Sequence, residues 1–291
     1  MNIQRLGNLK TALGECPVWH GQQLWLLDCR LGAVFALDPD TGDITARHEL
    51  PPPLGSFAFN HDGNIVLALK EEVASLNLNT GQLRTLARLD TSHPHLRLND
   101  GISLADGSFV VGTMHVFREA HEAPLGGLYR LDTDLQWRQL ETGLGITNGP
   151  GVNPVNGRFC VADSERKTVY SYAMAADGTL TDKQVLVQTD EHGSGPDGCC
   201  FDSEGGLWTA LVRAGALARF DLQGQLTHKI DLPLVHPTAL CFGGPDMGDL
   251  FVTSISDSGR LSASGPLDGA VLKLTGLGFS GAARPLCRLP S

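Results

Sequence analysis

The sequence lacks the features of a membrane-bound, secreted or nucleic-acid-binding protein. No run approaches the ~20 apolar residues of a membrane span, and residues 1–12 contain no apolar segment of signal-peptide length. Acidic residues outnumber basic ones by 32 to 22, and the scattered Lys and Arg residues form no basic stripe for nucleic acid. We therefore expect a soluble, cytoplasmic protein with no nucleic-acid or membrane partner.

Cysteine is present, but not in a pattern that structural or catalytic chemistry would require. The seven cysteines form an odd set without a Cys-x-x-Cys pair, which argues against a disulfide framework and against a thiolate zinc site. A nucleophilic cysteine also needs a basic neighbour that lowers its pKa, and the sequence identifies none. A Gly-x-Ser-x-Gly turn is absent as well, so a serine hydrolase is disfavoured.

Long helical periodicities are absent too, and a β-rich repeat takes their place. No window repeats its apolar residues with the helical period, so we expect few helices. Instead, a turn followed by an apolar run recurs six times, with separations of 41, 44, 50, 48 and 43 residues between marker positions. The markers are Leu24, Ile65, Phe109, Phe159, Leu207 and Leu250. A spacing of roughly 40–50 residues is typical of one propeller blade.

The repeat predicts an all-β fold, namely a six-bladed β-propeller of four-stranded antiparallel blades that occupies residues 1–291 as one domain. The 35 Gly and 16 Pro residues supply the turns that many short strands need. Either a strand in residues 3–9 or the tail in residues 284–289 is expected to complete a blade and close the ring. The sequence leaves both possibilities open.

Polar clusters recur at one position of this repeat. Glu15, Asn99, Asn148 and Asp197 precede the markers of their units by 9, 10, 11 and 10 residues, and Gly55 takes this place in the second unit. The innermost strands of a propeller line its channel, so we expect the four side chains to meet at the axis. Each cluster alone is an ordinary turn sequence, and agreement across four units is what favours a site. Two carboxylates and two amides are hard oxygen donors that suit Ca²⁺, Mg²⁺ or Mn²⁺.

At these residues the chain resembles the gluconolactonase/regucalcin family of six-bladed propellers, over essentially its whole length. The motifs that carry the resemblance include Gly14-Glu15-Cys16-Pro17, Arg97-Leu98-Asn99-Asp100-Gly101, Thr147-Asn148-Gly149 and Pro196-Asp197-Gly198. The resemblance implies one divalent cation, with Ca, Mn, Mg, Zn or Fe as candidates, held by the metal ligands Glu15, Asn148 and Asp197. It also implies that Arg97 and Asn99 contact the substrate, a small sugar lactone.

One position departs from the family pattern. A family member that binds gluconolactone has an acidic residue shortly after its Thr-Met pair, whereas Phe117 takes the aligned position here. Glu119 and His115 are candidates to replace that acid in binding substrate, and a different lactone is the other explanation. Residues 115–124 form either a lid over the channel or a solvated insertion.

The resemblance implies a divalent-metal-dependent hydrolase that opens a sugar-acid lactone in carbohydrate catabolism. The cation would polarise the lactone carbonyl, and Asp197 would also act as a general base towards the attacking water. Two alternatives stay open: a phosphotriesterase-like hydrolase, because the same cation could polarise a phosphoryl oxygen, and a calcium-binding or scaffold propeller without activity. Scaffolds present aromatic or apolar patches, and only 6% of this chain is aromatic.

Overall fold

Six four-stranded antiparallel sheets make up residues 1–119 and 121–290, the part of the chain that the computed structural model describes. The sheets follow one another in chain order, and the first strand of each contacts the first strand of the next. The first strand of the last sheet also contacts the first strand of the first sheet, so the six sheets close into a ring. The predicted six-bladed propeller is confirmed.

The first strand of the chain, β1 (Asn2–Arg5), belongs to the last blade. In each of the first three blades the four strands follow in chain order from the axis to the rim. Blade 1 consists of β2 (Gly14–His20), β3 (Gln23–Asp28), β4 (Ala33–Leu37) and β5 (Ile44–Glu49). Blade 2 consists of β6 (Ser56–Phe59), β7 (Ile65–Ala68), β8 (Glu72–Leu76) and β9 (Leu83–Arg88). Blade 3 consists of β10 (Leu96–Ser103), β11 (Phe109–His115), β12 (Gly126–Leu131) and β13 (Trp137–Leu144).

The remaining blades repeat this arrangement. Blade 4 consists of β14 (Thr147–Val152), β15 (Phe159–Asp163), β16 (Thr168–Met174) and β17 (Leu180–Gln188). Blade 5 consists of β18 (Pro196–Phe201), β19 (Leu207–Leu211), β20 (Ala216–Phe220) and β21 (Leu226–Asp231). Blade 6 consists of β22 (Pro237–Gly243), β23 (Asp249–Ser254), β24 (Leu272–Thr275) and β1.

The N-terminal strand closes the ring. β1 pairs antiparallel with β24, with Asn2 opposite Thr275 and Arg5 opposite Leu272. The alternative of closure by the C-terminal tail is therefore wrong, because that tail makes a single isolated bridge, between Cys287 and Asn60 of blade 2. Its buried apolar side chains pack instead against the cluster between blades 2 and 3.

The core lies between the blades, because the inner three strands of each sheet are covered on both faces. All five residues of β4 and all five of β20 are buried, whereas the outer strands β5 and β21 are mostly exposed. This burial explains the continuous apolar runs that mark the repeat. The prediction of few helices is also confirmed: the helical content of residues 1–119 and 121–290 is a single 3₁₀ turn at Asp190–His192. That part of the chain contains no helix with the length and apolarity needed to cross a membrane.

Candidate functional site

A cavity of about 550 Å³ opens on the face of the ring where the inner strands begin. Five of the sequence-predicted residues line it, contributed by β2, β10, β14 and β18: Glu15, Arg97, Asn99, Asn148 and Asp197. The loops that join the second and third strands of several blades complete its wall. The fold thus brings together side chains from blades 1, 3, 4 and 5, and their roles stay predictions.

A break in strand pairing accompanies each of these side chains. In five blades the register between the inner strand and its neighbour shifts at the same place: between residues 15 and 18, 98 and 101, 148 and 151, 196 and 199, and, in blade 6, 237 and 240. The first four of these shifts lie beside the side chains named above. Such β-bulges bend a strand and re-aim a side chain, and they are common beside active sites. The bulge therefore explains how an inner strand pairs with its sheet and still directs a polar group to the axis.

A chain of hydrogen bonds fixes the amide groups across three blades. Arg97 Nη1 donates to Asn99 Oδ1 at 2.8 Å, and Asn99 Nδ2 donates to Asn148 Oδ1 at 2.8 Å. Asn148 Nδ2 donates to Ser164 Oγ at 2.9 Å, and Ser164 in turn donates to the carbonyl of Pro196 at 2.6 Å. Because the amide nitrogen of Asn148 donates to Ser164, its oxygen, which has a second lone pair besides the one that accepts from Asn99, is the atom available to a cation.

The two carboxylates of the site are held in an environment that disfavours their charge. Burial raises the pKa of Glu15 well above its ordinary value, and the negative charges of Asp197 and Asp100 raise it further, while Arg97 opposes them. Burial and then Asp100 raise the pKa of Asp197 to about 8. Without a cation these carboxyl groups therefore tend to keep their protons, and a bound cation would stabilise their charged forms.

Asp100 is a part of this arrangement that sequence reasoning missed. Its carboxylate accepts hydrogen bonds from the backbone N–H groups of Gly101 and Gly149, both at 2.8 Å. Gly149 directly follows Asn148 and has a left-handed backbone (φ 52°), where a side chain would overlap the backbone nitrogen of Cys199. Burial raises the pKa of Asp100, and Arg284 of the C-terminal tail lowers it from the opposite face of the ring. The Asn-Asp-Gly motif contained this signal, but only its asparagine was assigned.

Two predicted substrate contacts do not lie in the cavity. His115 is buried, and its ring packs at 5.0 Å from that of His93, outside the cavity lining. Glu119 is exposed and also absent from the lining, whereas Phe117 is part of it. Residue 120, within the candidate lid at 115–124, lies outside the described residues. Neither His115 nor Glu119 therefore lies beside Phe117 in the cavity wall.

The donor set fits a hard divalent cation of the kind predicted. It offers two carboxylates and one oriented amide oxygen, with room in the cavity for water or substrate oxygens as further ligands. No group of three or more His, Cys, Asp or Glu side chains within residues 1–119 and 121–290 is arranged to hold a metal ion. The candidate set differs from such groups because its third ligand is the amide of Asn148.

Comparison with known proteins shows to which family the chain belongs. The family model described as "SMP-30/Gluconolactonase/LRE-like region" matches residues 13–256. The chain belongs to the SMP-30/gluconolactonase family. It is 32% identical to the pentonolactonase XacC of Haloferax volcanii, with 94% of each chain covered. It is also 32% identical to the 6-deoxy-6-sulfogluconolactonase of Pseudomonas putida, with 95% of each covered.

Solved structures agree with the assignment. The calcium-binding protein regucalcin from Agrobacterium tumefaciens superimposes with a TM-score of 0.87 at 25% identity, with 98% of this chain and 97% of that one covered. The resemblance to the gluconolactonase/regucalcin family, which the sequence motifs indicate, is therefore confirmed. The cavity described above occupies the face of the propeller where those motifs converge.

Proposed function

We propose that this protein hydrolyses a sugar-acid lactone with the help of one divalent cation held by Glu15, Asn148 and Asp197. The observation that carries the proposal is the convergence of these three donors with Arg97 and Asn99 in one cavity at the axis. Relatives named pentonolactonase and 6-deoxy-6-sulfogluconolactonase, aligned over nearly the full chain, support a lactone as the substrate. A calcium-binding structural neighbour supports the cation.

A cation bound there supplies Lewis-acid stabilisation of the negative charge that develops on the lactone carbonyl oxygen, worth several kcal/mol. Arg97 then binds substrate oxygens, since its Nη1 is oriented by bonds to Asn99 and to the carbonyl of Leu98 while its other donors stay available. Asn99 donates a hydrogen bond to the amide oxygen of Asn148 and so fixes the relative orientation of the two side chains. Asp197, once a cation shares its site, serves as the base that takes a proton from the attacking water.

The test is a panel of aldonolactones assayed with purified protein after chelation and after addition of Ca²⁺, Mg²⁺, Mn²⁺, Zn²⁺ or Fe²⁺ in turn. We expect ring opening above the spontaneous rate only with a cation, and loss of that activity in Asp197→Ala and Glu15→Gln. Asp134→Asn is the matched control, since Asp134 is an exposed turn residue whose one hydrogen bond, from the N–H of Gln136, an amide can also accept.

A phosphotriester belongs in the same panel, because the cation would also polarise a phosphoryl oxygen. Turnover of the phosphotriester alone would replace the lactonase proposal with the hydrolase alternative. Cation binding by calorimetry with no turnover of any member would leave a binding protein. Full lactonase activity in Asp197→Ala would remove the proposed site.

A further inference from the structure

The loops between the second and third strands of the blades form the rim of the cavity, and each carries a basic residue. One such residue in each loop, from blade 1 to blade 6, is Arg30, Lys70, Arg118, Lys167, Arg213 and Arg260. Four of these, from blades 1, 4, 5 and 6, line the cavity itself. Basic residues that recur around a rim attract anionic ligands there wherever nearby acids do not neutralise them.

Most of the rim cations are neutralised by nearby acids. Arg30 pairs with Asp257 and Arg118 with Glu165, while Lys167 Nζ lies 3.2 Å from Asp190. Lys70 Nζ lies 3.3 Å from Glu71. These pairs leave little free charge for a ligand.

Arg213 and Arg260 are different, because neither has an acidic partner within residues 1–119 and 121–290. Both are exposed, and they come from the adjacent blades 5 and 6, so they belong to the same side of the rim. The chain as a whole carries a net charge of −10, which makes two uncompensated guanidinium groups in one cavity wall a departure from its general composition.

Phe117, from the corresponding loop of blade 3, also lines the cavity and contacts Arg260. Its backbone is left-handed (φ 55°), a conformation that costs an L-residue about 1–2 kcal/mol. Its side chain is 59% exposed. The guanidinium carbon of Arg260 lies 5.8 Å from the centre of the Phe117 ring. An aromatic surface beside a guanidinium holds that group in place without neutralising it.

We propose that the substrate lactone carries an anionic group, such as a carboxylate, sulfonate or phosphate, on the carbons away from the reacting carbonyl, and that Arg213 and Arg260 bind it. The inference rests on the proposed lactonase function, because the axial carboxylates and Arg97 define where the carbonyl lies. Arginine matches this ligand class, since its planar donors bind two oxygens of a carboxylate or phosphate together. Phe117 then takes the place of an acid that would repel such a group.

The experiment compares cation-loaded wild-type protein with Arg213→Gln and Arg260→Gln on neutral glucono-1,5-lactone and on two anionic lactones, glucaro-1,4-lactone and 6-phosphoglucono-1,5-lactone. We expect wild type to prefer at least one anionic lactone. Each substitution should lower the ratio of kcat/KM on the anionic lactone to kcat/KM on the neutral one about tenfold, mainly through KM. The two anionic probes distinguish a carboxylate from a phosphate.

The matched control is Arg84→Gln, which removes the same charge from an exposed position on outer strand β9, where Arg84 makes no ion pair within the described residues. A second readout is calorimetric binding of 6-phosphogluconate against gluconate, which does not require turnover. Hydrolysis of the neutral lactone with an unchanged ratio in both variants would overturn the anionic subsite and leave the lactonase proposal intact. Absence of all lactone turnover, with arginine-dependent binding of 6-phosphogluconate, would overturn the lactonase proposal and keep the subsite.

Discussion

The carboxylates of the candidate cation site should destabilise the metal-free protein, and Asp197→Asn tests this directly. Asp197 is 9% exposed, and burial together with the charge of Asp100 raises its pKa from 3.8 to about 8. Asparagine has nearly the same shape but no charge. The substitution therefore removes the penalty of burying the carboxylate and its repulsion with Glu15.

The sign follows from proton binding. Between pH 3.8 and 8, the folded protein keeps a proton on Asp197 that the unfolded chain has released, so the stability of the wild type falls as pH rises through this window. At about 1.36 kcal/mol for each pKa unit, the upper limit at pH 7 is about 4 kcal/mol. Water in the cavity reduces this, and we expect a gain of about 1–3 kcal/mol for D197N, or roughly 2–10 °C in Tm.

The measurement is thermal unfolding in EDTA from pH 4 to pH 8 for wild type, D197N and the exposed control D134N. The Tm difference between D197N and wild type should widen as pH rises and nearly vanish near pH 4, whereas D134N should follow the wild type. Ca²⁺ at 100 times its Kd should then increase the free energy of unfolding of the wild type by about 2.7 kcal/mol and so raise its Tm. The Tm of D197N should stay almost unchanged. A D197N protein that is less stable than wild type in EDTA at pH 7 would refute the reasoning.

Two further predictions concern residues around the site and in the core. Ser164→Ala removes the partner that orients the Asn148 amide, so cation affinity by calorimetry should fall about 10-fold while Tm in EDTA changes little; unchanged affinity would show that the orientation does not depend on Ser164. Asp202→Ala leaves Arg219 without the carboxylate that accepts its Nε at 2.6 Å, so denaturant unfolding should show a loss of about 3–5 kcal/mol. Glu204→Ala, which removes a 67% exposed partner of the same arginine, should cost less than about 1 kcal/mol, and equal losses would contradict the difference in burial.

The parts that were predictable from sequence are those encoded by local periodicity. Apolar runs at a regular spacing predicted the blades, and the shared phase of Glu15, Asn148 and Asp197 predicted that they approach one axis. A ring converts position within a repeat into position in space, so phase alone is sufficient. The choice of the strand that closes the ring was not predictable in this way, because neither residues 3–9 nor the tail at 284–289 contains a marker of the repeat.

The parts that were missed depend on contacts between distant segments or on side-chain direction. The tail residue Arg284 acts on Asp100, which is 184 positions away, and no periodic signal connects them. The free charge of Arg213 and Arg260 depends on where the acids of other loops lie. His115 was assigned to the cavity although its neighbour in β11, Met114, lines it. Successive side chains of a strand point to opposite faces, so alternation would have placed His115 on the other side.

Blade 2 supplies no candidate ligand, and at the equivalent position it requires a glycine. Its inner strand β6 pairs with β7 without a register shift, and Gly55 occupies the position that a polar residue has in blades 1, 3, 4 and 5. A Cβ atom at Gly55 would lie 2.5 Å from the carbonyl oxygen of Asn99 and 2.9 Å from that of Leu98. Glycine is therefore needed at position 55 so that the backbone of blade 3 can approach blade 2. The hydrogen-bond chain from Arg97 to Asn148 depends on the same close approach.

Gly55→Ala should consequently displace the strand that carries Arg97 and Asn99 without touching a candidate cation ligand. We expect kcat/KM on the preferred lactone to fall about 100-fold, since a shift of about 1 Å in a positioning group has an effect of this size. Cation affinity should fall less, because Glu15 and Asp197 are attached to other blades. Gly248→Ala is the control, as a Cβ there meets no atom within 4 Å. Equal activity of the two variants would mean that blade 3 can retreat from blade 2 without disturbing the hydrogen bonds at the axis.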